Sequence, residues 1–466
     1  MFDKAIAVTA VLIVAIVGLY VPAQATVIEI PGEYQTIQMG IDSSSDGDTV
    51  LVWPDTYVEN INFNNHQVVL GSLFLITGDT SYITSTVLDG DSANSVIRNN
   101  NWYDSLSEIT GFTITNGNAT YGGGGIVFHS SGKITNNIIR GNRASRGGGI
   151  YIEGDALIEN NIITENQVTV AGAGIITYSG ACVIRDNQII NNVSTHYGGG
   201  VHFEDSQIIT LENNIIAYNY AENNGGGVLF YADVAGGVMV NNLIVGNTCV
   251  QNSGLGMYGG TYNFTNNTIA DNSHSSIGVH VFDFCEVTLI NNIFWNNADT
   301  EIVIEPNTSV TITYCDIQGG MAGEGNINSD PFFCEPESGN YQLAENSPCV
   351  GTGYEGANMG AFGIGCDASG IADNNNALPI AIQLDQNYPN PFNGSTTISF
   401  LLAQPKFVRL SIYDLLGREM QTLVDGFMPA GINHVIFDAS ALPSGVFFYN
   451  LKADDFSQSR RMVLIK

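Results

Sequence analysis

Asparagine-rich pairs followed by apolar residues recur along the middle of the chain at intervals of 24 to 28 residues. Their local sequences read NNII, NQII, NNLI, NNTI and NNIF. The pairs begin at Asn136, Asn160, Asn187, Asn213, Asn241, Asn266 and Asn291. In most units another asparagine follows six residues later, at Asn142, Asn166, Asn219, Asn247, Asn272 and Asn297. Self-similarity at such a period indicates a stack of structural repeats.

Glycine clusters lie out of phase with these pairs and precede short, alternating apolar runs. The runs read GGGGIVF at 122–128, GGGIYI at 147–152, GAGII at 172–176, GGGVHF at 198–203 and GGGVLF at 225–230, and continue more loosely at 254–258 and 277–282. The pattern predicts two short strands in each unit. One unit cannot bury its own apolar face, so stacked units must share a core. We therefore predict an all-β fold whose main part is a parallel β-helix.

The recurring residues suit the sharp corners of such a coil. Asparagine tolerates the left-handed backbone conformation, and stacked asparagine side chains can bond to their equivalents in the next turn. Glycine permits positive φ and close backbone approach at the other corner. The alternative, an antiparallel sandwich built from repeats, requires two-residue Asn-Gly or Asp-Gly hairpin loops. Those loops are not the recurring element, and this favours the β-helix.

The repeats resemble the right-handed parallel β-helix family of pectin-lyase-like proteins. Residues 30–63, IPGEYQTIQMGIDSSSDGDTVLVWPDTYVENINF, are similar to the N-terminal segment of many secreted members, although Met39-Gly40 and Asp55 depart from the usual pattern. ITGFTITNG at 109–117 and the closing segment at 316–366 are also typical of this family. The resemblance covers roughly residues 27–366 and implies the fold. It does not choose among lyases, hydrolases, esterases, adhesins and stalks, because function depends on the site.

Alternation along the runs after the glycines assigns their faces. The first and third residues should face the core: Ile126 and Phe128, Ile150 and Ile152, Val201 and Phe203, and Val228 and Phe230. The second and fourth should form two outward columns. One column reads Val127, Tyr151, Ile176, His202, Leu229, Tyr258 and His280, and the other reads His129, Glu153, Tyr178, Glu204 and Tyr231, with Phe282 further along.

This outward face suggests two functions. Tyrosine rings with a polar tip, beside histidines and carboxylates, predict a non-catalytic glycan-binding or adhesive surface formed by Tyr151, Tyr178, His202, Tyr231, Tyr258 and His280. In a purely structural alternative, these side chains only stack on their equivalents in adjacent turns. A further alternative is a polysaccharide lyase or glycoside hydrolase, with Glu153, Glu204 and His129 as catalytic candidates.

The catalytic alternative has a geometric weakness. Glu153 and Glu204 lie two turns apart, or about 10 Å, slightly beyond the ~6.5–9.5 Å of inverting glycosidases. The basic residues Arg140, Arg143 and Arg146 are expected in the loop between strands, as solvated charges in an acidic field.

The C-terminal residues form a module of a different type. Alternating strands are predicted at 396–402, 408–414, 434–439, 445–453 and 461–465, which suggests a small β-sandwich. The module resembles the immunoglobulin-like sorting domain of the type IX secretion system. The matching positions are Tyr388 to Phe392, Tyr413 to Arg418 and Leu442 to Phe448; among them, with the terminal lysine, are Pro389, Asn390, Pro391, Gly417, Arg418, Gly445 and Lys466. The resemblance implies the secretion machinery as a partner and export across an outer membrane, with release or anchoring at the surface.

Charge separates the two regions. The chain has 45 acidic and 14 basic residues and a net charge of −31, yet its last 83 residues contain seven Lys or Arg and are neutral. No Lys or Arg occurs between Arg185 and Lys406. This distribution excludes nucleic acid as a partner, because phosphate binding requires basic surface. The acidic region would also repel polyanionic substrates unless a cation intervenes.

The N-terminus and the cysteines indicate an exported protein. Residues 1–25 combine Lys4, an apolar run and Ala23-Gln24-Ala25, which predicts a cleaved signal peptide. Export permits disulfides, and the last four of the seven cysteines, Cys315, Cys334, Cys349 and Cys366, could staple the end of the β-helix. We expect the β-helix at 26–366, a linker at 367–386 and the sorting domain at 387–466, in a monomer.

No metal or other cofactor is predicted. The cysteines and histidines lack zinc spacing. Asp46 with Asp48, and Asp89 with Asp91, supply hard oxygen ligands that calcium prefers, but neither pair has EF-hand spacing. We expect both pairs to be structural turns.

Overall fold

A computed structural model describes residues 25–367 except 101–106, 130, 232–233 and 273–276. It also describes 382–465 except 385–386, 388–389, 391, 403–405, 414–417, 429–430, 441, 443–444 and 454–455. Residues 1–24 of the expected signal peptide and most of the expected linker therefore lie outside the described residues.

Each turn of the solenoid crosses up to four parallel sheets, named here in the order in which the chain meets them and with their strands counted over the described residues alone. The first sheet has 12 strands: Val27–Ile30, Thr49–Val52, Val69–Ser72, Glu108–Thr110, Gly132–Thr135, Ala156–Glu159, Cys182–Arg185, Ile208–Glu212, Gly236–Val240, Gly260–Thr265, Cys285–Ile290 and Ser309–Thr313. The second has 11: Thr56–Val58, Val87–Asp89, Thr113–Thr115, Ile138–Arg140, Ile162–Thr164, Gln188–Ile190, Ile215–Ala217, Leu243–Val245, Thr268–Ala270, Ile293–Trp295 and Asp316–Ile317.

The remaining two sheets complete the turn. The third has six short strands: Asn118–Ala119, Arg143–Arg146, Gln167–Ala171, Val193–Ser194, Tyr220–Ala221 and Thr248–Cys249. The fourth follows the glycine clusters and has ten: Ile61–Asn62, Ile97–Asn99, Ile126–Phe128, Ile150–Glu153, Ile175–Tyr178, Val201–Glu204, Val228–Tyr231, Asn252–Met257, Ile277–Val281 and Thr300–Ile304. The parallel solenoid is confirmed. The prediction of two strands per unit is wrong, because segments as short as Val193–Ser194 carry no readable alternation.

Inward side chains of successive turns stack into one continuous core. The predicted core positions of the fourth sheet, such as Ile126, Phe128 and Phe203, are fully buried. Phe203 and Phe230 stack with ring centroids 4.8 Å apart. Burial of each such side chain contributes about 1.5–3 kcal/mol relative to exposure, so the stack of turns supplies the stability that a single turn lacks.

The two asparagines of the repeated pairs perform different roles, and in the turn of Asn187 the first role is taken by Asp186. The first, such as Asn160 with φ of 56°, adopts the left-handed conformation at the corner. The second, such as Asn161, is buried, and its Nδ2 donates to Ile134 O at 2.8 Å and to Asn187 Oδ1 at 3.0 Å. This amide ladder continues through Asn137, Asn161, Asn187, Asn214, Asn242, Asn267 and Asn292. A second ladder at the next corner runs through Asn142, Asn166, Asn192, Asn219, Asn247, Asn272 and Asn297.

Separate segments cover the solenoid near its ends. Helix α1 (Ile37–Ser43) is capped by Thr36, whose side chain accepts from Met39 N, and buries Ile37 and Ile41 in the core. Helices α2 (Phe74–Thr77) and α3 (Ser81–Ser85) follow. None of the described helices is long and apolar enough to cross a membrane.

The predicted closing segment begins with the last second-sheet strand, Asp316–Ile317, and its remainder, residues 318–366, folds back over the outer face of the second sheet. Its strands are Phe333–Glu335, Asn340–Ala344 and Ile364–Cys366, with 3-10 helices at Pro336–Ser338 and Tyr354–Gly356. Tyr341 packs with Ala217, Leu243 and Ala270 of the second sheet. A disulfide joins Cys334 to Cys366, two of the four cysteines that could staple this end. The other five cysteines, including Cys315 and Cys349, form no disulfide and are buried.

The C-terminal strands form two antiparallel sheets. One contains Ile382–Leu384, Ser395–Leu402 and Gly431–Asp438, and the other contains Lys406–Tyr413, Glu419–Met428, Gly445–Ala453 and Phe456–Leu464. Phe400 of the three-stranded sheet shares one buried core with Leu410 and Tyr449 of the four-stranded sheet, which confirms the sandwich. The strand Glu419–Met428 was not predicted, because Asp425 and Gly426 interrupt the apolar alternation of this segment.

Candidate functional site

The outer face of the fourth sheet carries most of the predicted binding and catalytic residues. Its second-position column points away from the core, yet His202 is only 1% exposed and Leu229 is fully buried. The glycine turn that leads into each strand covers this column. A Cβ on Gly198, where φ is 57°, would lie 2.6 Å from the Cβ of His202. Glycine is therefore required here, and His202 lies beneath the surface rather than on it.

The fourth-position column is the accessible one. Register pairs Glu153 with Tyr178, Tyr178 with Glu204 and Glu204 with Tyr231. The placement of Tyr258 in the second-position column is wrong. Because Leu255 and Met257 face the core, Gly256 occupies the second position and Tyr258 follows Tyr231.

Glu153 lies at the centre of one polar group. His129 Nδ1 is 2.6 Å from Glu153 Oε2, and the Tyr151 hydroxyl donates to Glu153 Oε1. Both Glu153 and His129 are about a quarter exposed. Burial, followed by the neighbouring Glu153 carboxylate, raises the pKa of Tyr151 above its ordinary value, so this hydroxyl remains a proton donor.

Glu204 lies at the centre of a second polar group, two turns further on. His202 Nε2 lies 3.5 Å from Glu204 Oε2, and an Arg146 guanidinium nitrogen lies 3.0 Å from the same oxygen. These two neighbours lower the pKa of Glu204, and burial lowers that of His202. The Arg146 guanidinium also lies 5.5 Å from the centre of the Tyr178 ring, within cation–π range. The prediction that Arg140, Arg143 and Arg146 occupy a loop is wrong, because Arg140 ends a second-sheet strand and the other two lie in a third-sheet strand.

An aromatic series begins at Tyr197, beside the third sheet, and continues along the column beyond Glu204. Ring centroids are 5.9 Å apart for Tyr197 and Tyr231, 5.2 Å for Tyr231 and Tyr258, and 3.7 Å for Tyr258 and Phe282. All four rings are partly exposed. Burial raises the pKa of Tyr258 to about 12, with Tyr231 and Tyr197 adding to the effect. The series therefore offers neutral aromatic faces over several turns.

The three catalytic candidates thus share one face but not one hydrogen-bonded group. Glu153 and His129 are in contact, whereas Glu204 lies two turns away and pairs with Arg146. His280, at the far end, places Nε2 3.0 Å from Glu305 Oε1. Sequence reasoning missed Arg146, Tyr197 and Glu305 as members of this face. A signal was present for the first two, since each immediately precedes a glycine cluster.

The calcium candidates are engaged in turns. Asp48 accepts hydrogen bonds from Thr26 N at 2.7 Å and Ser45 N at 2.8 Å. Asp89 accepts from Asp91 N at 2.9 Å and from Asn116 Nδ2 at 2.8 Å. Within the described ranges, no group of three or more His, Cys, Asp or Glu side chains is arranged to hold a metal ion.

Two of the described sorting-motif residues, Asn390 and Gly445, lie beside the last strand of the C-terminal sandwich. Asn390 Oδ1 accepts from Val463 N at 2.9 Å, and Gly445 pairs with Leu464. Arg418 directly precedes the strand Glu419–Met428. The predicted positions Pro389, Pro391, Gly417 and Lys466 lie outside the described residues.

Comparison with known families agrees with both regions. Residues 101–255 match the right-handed β-helix region family, and residues 386–466 match the secretion system C-terminal sorting domain family. The chain therefore contains a right-handed parallel β-helix. It carries a type IX sorting domain and is a secreted or cell-surface β-helix protein. No curated protein matches the chain.

Proposed function

We propose that the outer face of the fourth sheet binds a neutral polysaccharide chain without cleaving it. The observation that carries the proposal is the partly exposed aromatic series Tyr197, Tyr231, Tyr258 and Phe282. Aromatic faces pack on the apolar faces of sugar rings, and the tyrosine tips remain available for hydroxyl groups. Carboxylates at Glu153 and Glu204 add acceptors on the same face, and the acidic solenoid disfavours anionic glycans.

The test is binding of the full chain to a panel of neutral and acidic plant and algal polysaccharides, followed by calorimetry. Tyr231→Ala and Tyr258→Ala should each weaken binding about tenfold. Tyr220→Ala is the matched control, because Tyr220 is 41% exposed but lies on the third sheet. Equal weakening by the control would contradict the proposal. Absence of both binding and turnover would favour an adhesive or structural stalk.

The contact between His129 and Glu153 supports a second candidate, a polysaccharide lyase or glycoside hydrolase. A carboxylate in direct contact with an imidazole is a suitable pair for proton transfer. The same panel is assayed for new reducing ends and unsaturated products. Turnover that is lost in Glu153→Gln but kept in Glu212→Gln, a glutamate of the first sheet, would establish catalysis and overturn the binding-only proposal.

A further inference from the structure

A depression of about 790 Å³ lies between the closing segment and the corner at which each turn passes from the second sheet to the third. It is separate from the aromatic series of the fourth sheet. The corner contributes Tyr218 and Asp271, the closing segment contributes Asp330, Phe332, Phe333 and Glu337, and Trp295 lies beside them. The depression therefore exists only because the closing segment folds back over the sheet.

One wall of the depression is aromatic. Tyr218 occupies a corner position where most turns have Asn, Gly or Asp, and it adopts φ of 56°, which is rare for a bulky residue. Its ring lies against Gly246, where an added Cβ would be 2.6 Å from the ring. Trp295 and Phe333 are partly exposed, and Phe332 is 38% exposed.

The polar part of the lining is negative. Asp271 accepts from the Tyr341 hydroxyl and from Asn296 Nδ2, each at 2.5 Å, and Asp330 Oδ1 accepts from Phe332 N at 2.9 Å. These donors are neutral, and none of the described Lys or Arg side chains forms an ion pair with Asp271, Asp330 or Glu337. Lys and Arg are absent from the whole stretch between Arg185 and Lys406.

We propose that this depression binds a small organic ammonium ion. Aromatic faces attract alkylammonium groups through cation–π interactions, and the uncompensated carboxylates supply the charge that a cation requires. An anionic ligand would face only like charges here. A neutral sugar would pack on the rings and could donate hydroxyl hydrogen bonds to the carboxylates, but it would lack the charge–charge attraction that makes cation binding depend on salt.

The experiment uses the full chain, with choline as the probe and 3,3-dimethyl-1-butanol as its neutral analogue of the same shape. Choline should bind, more weakly at high salt, and the neutral analogue and glucose should not. Trp295→Ala should weaken choline binding about tenfold. The double variant Asp330→Asn/Glu337→Gln should weaken choline binding similarly, because it removes two of the three negative charges. Both side chains are exposed, so their replacement should preserve the fold.

Glu345→Gln is the matched control, since Glu345 is exposed on the same closing segment but outside the depression. It should leave choline binding unchanged. Equal binding of choline and the neutral analogue, binding of glucose alone, or no choline binding at millimolar concentration would each overturn the proposal. Circular dichroism of every variant confirms that a loss of binding is not a loss of fold.

Discussion

The guanidinium of Arg146 lies 3.0 Å from the carboxylate of Glu204, two turns further along the solenoid. The Arg146 side chain extends over the ring of Tyr178, which lies in the turn between them. Three successive turns are thus joined on the outer face by side chains, in addition to the backbone ladders beneath. The contact connects the edge of the third sheet to the proposed glycan-binding face.

Replacing Arg146 should therefore reduce stability more than an equivalent change nearby. Arg146→Gln removes the ion pair and the cation–π contact and should lower the free energy of unfolding by about 1 kcal/mol. The matched control Arg143→Gln changes an exposed arginine of the same strand and should have little effect. Chemical denaturation measures both. High salt should reduce the difference, and identical midpoints at low salt would contradict the assignment.

The amide ladders should be highly sensitive to substitution. Asn192 Nδ2 donates to Ile163 O and Asn219 Oδ1, and its Oδ1 accepts from Asn166. Asn192→Ala removes these three buried side-chain hydrogen bonds and interrupts the ladder, and it should cost about 3 kcal/mol of unfolding free energy.

The neighbouring position provides the control for that substitution. Asn191 is exposed and has φ of 56°, so Asn191→Gly retains an allowed backbone and should be nearly neutral. Equal losses in the two variants, measured from urea unfolding curves, would show that the backbone conformation rather than the ladder determines stability at this corner.

A buried carboxyl group near the closing segment should make stability depend on pH. Asp316 accepts from Cys349 Sγ at 3.1 Å and from Ser329 N at 3.1 Å, and burial raises its pKa to about 6. The folded state therefore holds this proton more tightly than the unfolded state does. The free energy of unfolding should fall as pH rises from about 4 through about 6, by at most about 3 kcal/mol.

Asp316→Asn should remove this part of the pH dependence, because an amide does not titrate in that range. Asp299→Asn, which changes an exposed aspartate, should leave the dependence intact. The measurement is the melting temperature of the three proteins between pH 4 and 8. Parallel curves for the native chain and Asp316→Asn would refute the assignment.

Export should depend on the C-terminal sandwich. Deleting residues 387–466 removes nearly the whole segment that matches the sorting domain and should trap the β-helix in the periplasm. Cell fractionation and surface protease accessibility report its location, with the intact chain as the reference. Normal surface display of the truncated chain would show that another signal directs export.

Much of the fold was predictable because its signals are local and repeated. Core positions such as Ile150 and Ile152 follow from period-two alternation, and the asparagine pairs mark the corners. The separate roles of Asn160 and Asn161 could not be assigned from the sequence, because an asparagine suits either position. The difference depends on which side chain faces the next turn.

The candidate site was less predictable, because side-chain exposure there depends on neighbouring segments. His202 points outward as expected, but the turn at Gly198 covers it. Arg146 contacts Glu204 across 58 residues of sequence, a relation that no local pattern encodes. The depression beside Trp295 depends on where the closing segment lies against the second sheet, and no repeat in the sequence specifies that placement.

The ladders also make the length of the solenoid adjustable in fixed steps. Parallel strands lie about 4.8 Å apart, so a first sheet of 12 strands extends roughly 50 Å. A related chain that gained or lost one whole repeat would keep both asparagine ladders in register and change this length by about 5 Å. The number of repeats thus sets the length of the solenoid, independently of the few turns whose rings face outward.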